Sequence, residues 1–443
     1  MTSRSGTWRN WSGSVRCSPA SWERPADVGA IRDLVRHAKR DGMRIRVAGS
    51  GHSFSPLVAT DDVLVTLDRM QGIVSLDTAR REVTVRAGTT LRALGRDLHA
   101  AGFALENLGG VDVQTVAGAI GTGTHGSGLG FGSMATQVTG MTLVTGDGSV
   151  VEASAGKDPD LLHAASLSLG ALGIIVSVTL RVVPAHRLRL QTGRQRIARC
   201  RESLVEDAHA HQHFELFWFP HTEWAQTRTL DPAPFDARPG HRIRRAVSDV
   251  ALENGAVWAL SQACRLTPAL VPRVSAIFAA GASEMSGVDW SHRLLVSPRL
   301  VRMEAMEYAL PLDEGRAALE EIERALFDLR LPVHVPLGIR FVPGDDVWLS
   351  PAYQRDSVYI AAHAFRGTPF ESYFKTIERI LQAHGGRPHW GKWHSLEAGS
   401  LAHLYPRWED FQRLREALDP GGTFLNDYLE KLLAARPVAK IRP

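Results

Sequence analysis

The sequence predicts a mixed α+β chain in two halves, closed by a short third segment that returns to the first. Three observations carry that reading. Strand-like alternation and helical apolar spacing follow one another along the chain. Glycine concentrates in two loops of the first half. The texture changes beyond about residue 190, and again at RPHWGKWH (387–394). A length of 443 residues suggests two or three domains, and the expected divisions are 1–188, 189–385 and 386–443.

The elements follow in order. Val28, Ile31, Leu34, Val35 and Ala38 form a helical stripe over 28–40. MRIRVA (43–48), DVLVTL (62–67) and EVTVRA (82–87) read as strands. Leu91, Leu94 and Leu98 mark a helix over 89–101, and 107–133 carries too much glycine for the interior of a regular helix or strand. Strands return at 138–145, 149–153 and 174–183, where Pro184 is a natural stop. In the second half HFELFWFP (213–220) is a strand, DPAPFDARPGHR (231–242) a loop, and 246–285 mostly helical. MEYALP (306–311), PVHVPLGIRFV (332–342) and VYIAAHAF (358–365) are strands, with helices within 313–328 and over 370–384. The last segment holds polar helices and the turn DPGG (419–422).

Composition excludes several classes. Apolar residues make up 44% and charged residues 22%, a globular balance that argues against wholesale disorder. The formal charge is +4 and the basic residues are scattered, so no nucleic-acid partner is expected. Cys17, Cys200 and Cys264 form no C-x-x-C pair, which excludes a disulfide framework and a cysteine zinc site; no metal is expected. No run of 18 apolar residues occurs and no apolar stretch follows the basic N-terminus, so neither a membrane-spanning segment nor a secretory signal is expected, and a cytoplasmic location is.

Two glycine loops carry the chemistry. GSGHSFSP (49–56) follows the strand MRIRVA directly, and GGVDVQTVAGAIGTGTHGSGLGFGS occupies 109–133. GTGTHG (121–126) matches G-x-G-x-x-G, but glycine follows it where a dinucleotide fold would start a helix. Peptide N–H groups of such loops form anion nests that can hold a pyrophosphate; a pair of tight turns between strands is the plainer alternative. His52 lies in the first loop, where its glycine neighbour leaves room for a ligand. As a neutral imidazole it can serve as nucleophile or ligand, and its spacing leaves both open.

At these loops the sequence resembles the flavoproteins of the vanillyl-alcohol-oxidase type, in the sugar-1,4-lactone and alditol oxidase branch. VAGSGHSFSPLVATDDVLVTLDRM (47–70), TVAGAIGTGTHGSG (115–128) and RPHWGKWH carry the resemblance, extended by SLGALGIIVSVTLRVVP (168–184) and FLNDYLEKLL (424–433). The resemblance implies an FAD-binding domain of two α+β subdomains, an α+β cap domain over the substrate, and a tail that returns to the flavin. It implies FAD bonded covalently through His52, with Gly49, Ser50, Gly51, Ser53 and Phe54 around the pyrophosphate. Ala119, Thr122, Thr124, His125, Gly126 and Ser127 would line the flavin, Gly173 and Ile174 would meet the adenine side, and His389 would lie beside the flavin edge. Arg340, Lys392 and His363 match catalytic positions.

The implied activity is oxidation of a CH–OH group of a sugar-like substrate, an aldonolactone, lactol or polyol, with O2 or another acceptor taking the electrons. Two residues depart from the branch. Gly338 stands where its members have Glu two residues before the active-site Arg, and Ala119 stands where alditol oxidase has Ser. Loss of a natural general base favours the alternative of a specialised oxidase for a modified sugar, nucleoside or amino-sugar.

Overall fold

The computed structural model describes residues 6–237, 250–297 and 301–433. Its first half is built on two sheets. A parallel sheet has Val63–Thr66 between Ser21–Glu23 and Ile45–Ala48. Val63, Leu64 and Val65 are fully buried, as a parallel strand covered on both faces requires. The helix Val28–Arg40, capped by the Asp27 side chain accepting from Ala30 N–H, buries its stripe of Ile31, Val35 and Ala38 in the same core.

An antiparallel sheet runs Val150–Ser154, Val138–Val144, Ile174–Arg181, Glu82–Arg86, Ile73–Asp77. The stretch 107–133 departs from expectation, because it contains the helix Val116–Gly121. Thr115 caps it by accepting from Gly118 N–H, and the buried Val116, Ala119 and Ile120 outweigh the helix-weakening glycines.

The second half is dominated by one eight-stranded antiparallel sheet. Its order is Met285–Trp290, Arg187–Arg196, Trp224–Ala233, His213–Trp218, Leu337–Val342, Ser357–Phe365, Met303–Pro311, Arg387–Pro388. The helices Gly315–Asp328 and Glu371–Ala383 bury Leu319, Ile322, Phe374 and Ile377 in a second core that contains one face of this sheet.

The strand read over 332–342 forms only from Leu337, since Pro332 and Pro336 cannot donate to a ladder. The strand Arg187–Arg196 was not foreseen: only Leu188 and Leu190 of it are buried, so its period is too short to stand out. Of the helical stretch 246–285, residues 246–249 lie outside the described residues, and most of the rest forms Val250–Leu266 and Val271–Gly281. The proline-rich loop read over 231–242 begins inside the strand Trp224–Ala233, and its residues 238–242 lie outside the described residues.

The tail touches both halves. Arg387–Pro388 adds an edge strand to the large sheet. From Trp390 onward, Leu401, Tyr405, Trp408, Phe411 and Phe424 join the core of the first half. No helix among the described residues is long and apolar enough to cross a membrane.

Candidate functional site

A cavity of about 770 Å³ opens behind the first glycine loop, within the ~300–1,000 Å³ range of cofactor sites. Gly49, Ser50, Gly51, His52 and Ser53 form one wall; Thr115, Gly118 and Thr122 form another; Gly173 and Ile175 close a third side. Backbone packing dictates several of the glycines. A Cβ on Gly49 would lie 2.5 Å from Thr115 Oγ1, and on Gly173 2.6 Å from the Val144 carbonyl oxygen. Gly51 adopts φ +70°, a conformation side chains resist.

The lining charges are Arg24 and Arg46 against Asp68, two positive and one negative. Arg46 is 3% exposed and donates to the main-chain carbonyls of Leu57, Leu169, Gly170 and Phe424, the first two at 2.8 and 2.7 Å. Burial pushes its guanidinium down to about 10. A narrow cavity walled by glycine and carrying an excess cation suits a long dinucleotide with a pyrophosphate at its centre. These residues fit FAD.

The His52 loop meets the tail directly. Phe54 N–H donates to the Gly391 carbonyl at 2.8 Å, and Ser55 Oγ donates to the Trp390 carbonyl at 2.9 Å. Lys392 Nζ sits 4.9 Å from the centroid of the Phe54 ring, near enough for a cation–π contact. Trp11 stacks on His52 with centroids 5.5 Å apart and planes 25° from parallel. No sequence motif marks this tryptophan, which arrives from the turn between the short strands Trp8–Arg9 and Arg16–Cys17.

The same tail turn is pinned to the large sheet. His389 N–H donates to the Glu307 carbonyl and Trp393 N–H to the Ala305 carbonyl, each at 2.9 Å. Antiparallel register then assembles one sheet face, because directly opposed residues point the same way. Phe217, Gly338, Ala361 and Glu307 form one row across four strands. Arg340 opposes Tyr359 two residues along, and His363 lies two residues beyond Ala361. Arg340, His363 and Glu307 therefore share a face, beside Lys392.

Two glutamates set the charge there. Glu215 accepts from Arg340 Nε at 2.7 Å and also from Arg228. Burial raises the Glu215 carboxyl, but the two guanidiniums outweigh it and hold it at about 2. Arg340 is raised in turn, since Glu215 and Glu307 outweigh the cost of burial. Glu307 lies 3.4 Å from His125 Nε2 and 3.9 Å from Lys392 Nζ, with its side chain 4% exposed. Against its burial, His125, Lys392 and His389 keep its carboxyl well below the usual range. His389 is pushed down to about 3 by burial.

The foreseen residues therefore divide. Gly49 to Ser53, Thr122 and Gly173 line the cavity. Ile174 is buried in the strand beside it, and Ile175 is the residue that faces the cavity. Ala119 is fully buried in its helix. Thr124 Oγ1 accepts from Gln114, and a Cβ on Gly126 would strike Asn107 Oδ1 at 2.4 Å. Ser127 hydroxyl donates to the Phe214 carbonyl and accepts from Phe341 N–H, stitching the second glycine loop to the large sheet. His363 Nδ1 lies 3.1 Å from the Pro336 carbonyl, to which it donates.

His125, Glu307 and His389 bring one ligand atom each within 4.8 Å, a spacing that fits a metal ion. The donor set does not fit. His389 Nδ1 accepts from Gly391 N–H at 3.0 Å, which leaves the proton of the neutral ring on Nε2, and the Lys392 ammonium already faces the carboxylate.

Fold and cavity together define an FAD-linked oxidoreductase, with a cofactor-binding half and a second sheet facing it. Residues 19–154 match the model of an FAD binding domain, and residues 178–432 match that of D-arabinono-1,4-lactone oxidase. An L-gulono-1,4-lactone dehydrogenase of Mycobacterium tuberculosis is 38% identical over 96% of this chain and 99% of its own. An alditol oxidase of a Streptomyces species is 31% identical over 96% and 98%. The crystal structure of cholesterol oxidase from Brevibacterium sterolicum superposes with a TM-score of 0.81 at 18% identity, covering 98% of this chain and 97% of the other, a likeness of fold. The chain belongs to the D-arabinono-1,4-lactone oxidase family, FAD-linked enzymes acting on CH–OH donors.

Proposed function

We propose that the chain holds FAD in the cavity behind the His52 loop, bonded through His52, and oxidises a CH–OH carbon of an aldonolactone, lactol or polyol to a carbonyl or lactone. FAD, when bound, supplies the hydride acceptor. Gly49, Ser50, Gly51 and Ser53 cradle its pyrophosphate, and the second glycine loop from Ala119 to Ser127 supports its ring. Arg340 and Lys392 bind substrate oxygens and stabilise the negative charge that develops during oxidation. Glu215 holds the Arg340 guanidinium in place, and His363 orients the substrate beside Gly338. Reoxidation falls to O2 or another acceptor. Residues 1–188 bind the cofactor, 189–385 cover the substrate, and 386–443 deliver Lys392; the site works in the cytoplasm.

One observation carries the reading: the 2.8 Å bond from Phe54 to Gly391, which joins the cavity wall to the turn bearing Lys392 and so to the charged sheet face. The relatives, named for gulono-lactone, arabinono-lactone and alditol oxidation, supply the substrate class. The space at Gly338, where a Cβ would meet nothing nearer than 3.8 Å, favours a second reading in which the sugar carries an extra substituent. The experiment is an anaerobic screen of flavin bleaching over lactones, alditols and modified sugars. At least one should bleach the yellow protein; bleaching by none overturns the reading.

A further inference from the structure

Glu307 is a carboxylate sealed inside a strand whose neighbours Met306 and Tyr308 are fully buried. Its two oxygens face different parts of the chain. Oε1 lies 3.4 Å from Nε2 of His125, in the second glycine loop, and Oε2 lies 3.9 Å from Nζ of Lys392, in the tail. The His125 ring is oriented from its other side. Its Nδ1 is 2.8 Å from the Gly126 carbonyl, and a carbonyl only accepts, so Nδ1 carries a hydrogen. The other ring nitrogen, Nε2, is the one turned to the Glu307 carboxylate. The Tyr359 ring packs against His125 with centroids 4.0 Å apart and fixes its tilt.

We infer that Glu307 is a positioning residue of the oxidation, dividing its carboxylate between His125 and Lys392 so that the two are held together where the glycine loop, the sheet and the tail meet. This rests on the proposed role of Lys392 beside the substrate. Glu307 does not line the cavity and acts through Lys392, which also leans on the Phe54 ring. Without the carboxylate the ammonium loses the negative charge that lies 3.9 Å from it. Other charged and titratable groups facing the pair are His389 from the tail and Arg340 and Tyr359 from the neighbouring strands, with Asp345 behind Tyr359 and Glu215 behind Arg340. All are unchanged in the variants compared.

The test uses the full flavoprotein with Glu307→Gln, Glu307→Asp and Lys392→Met. The chain has six lysines, so reductive ¹³C-methylation gives a simple NMR spectrum in which Lys392→Met identifies one signal. In Glu307→Gln the Lys392 titration should fall by roughly 1–3 pH units, and Glu307→Asp should restore part of it. Anaerobic flavin reduction in Glu307→Gln should slow about tenfold or more with KM changed less than about threefold, its alkaline limb moving with the lysine. Adding Glu307→Gln to Lys392→Met should cost nothing further. An unmoved Lys392 titration, or losses that add in the double variant, overturns the inference, since a purely structural carboxylate would give either. Should Glu307→Gln not fold, the titration and rate of Glu307→Asp against wild type decide alone. If wild type oxidises no sugar, the functional reading fails, while the lysine titration still judges the pairing.

Discussion

Gly338→Glu tests whether the open position beside Arg340 selects the substrate. Gly338 is buried in the strand Leu337–Val342, and a Cβ there meets His363 Cε1 at 3.8 Å and Ala361 and Phe217 at 3.9 Å, ordinary contact distances. Gly338→Ala should therefore be neutral or stabilising by about 0.4–1 kcal/mol, through the unfolded chain. Gly338→Glu adds a carboxylate on the face of Arg340, two residues away, a separation of roughly 7 Å along a strand. At that distance and an effective dielectric of about 20 the new charge opposes an anionic substrate group at Arg340 by about 2 kcal/mol, or roughly 30-fold. The assay compares kcat/KM for neutral lactones and alditols with uronate-bearing sugars in wild type, Gly338→Ala and Gly338→Glu. Gly338→Glu should lose the anionic substrates selectively, and Gly338→Ala should follow wild type. If the preference moves less than about threefold in Gly338→Glu while its flavin still reduces, position 338 does not face the substrate and the reasoning fails.

Wild-type protein precipitated in acid should stay yellow and His52→Ala should release its flavin, as absorbance of the supernatant will tell. Glu215→Ala leaves Arg228 and Arg340 buried without their carboxylate, and chemical denaturation should register a loss of roughly 3–5 kcal/mol. Asp345 is raised by burial to about 6 from an ordinary 3.8, although Val347 N–H and Ser350 donate to it. A raised folded-state value means that stability is fully present below about pH 4 and is lost as pH rises through 6, by up to about 3 kcal/mol. Measured against Asp345→Asn, the urea midpoint of wild type should fall across that window; parallel curves would contradict it.

What the sequence disclosed and what it concealed follow from one distinction. The His52 loop and the tail motif are runs of consecutive residues, so a reader of the chain meets each whole. Strand positions of the first half were legible too, because EVTVR buries alternate residues and the strand Ile174–Arg181 does so from Val176 onward. Glu215 and Glu307 escaped because their partners are remote: Glu215 and Arg340 are 125 positions apart, and Glu307 answers to His125 and Lys392. Register, which no local pattern states, brings them together. Yet each left a trace. In HFELFW the charge of Glu215 falls between Phe214 and Leu216, and in MEYALP that of Glu307 falls before a run that is buried almost throughout. An ionised carboxylate inside such a strand costs several kcal/mol unless cations meet it, so its presence alone implies them. The chain has few lysines but many arginines and histidines, and the motifs had already named Arg340, Lys392 and His125. Those basic groups and these two buried carboxylates are two halves of one polar cluster, and the sheet face at Gly338 is where they meet.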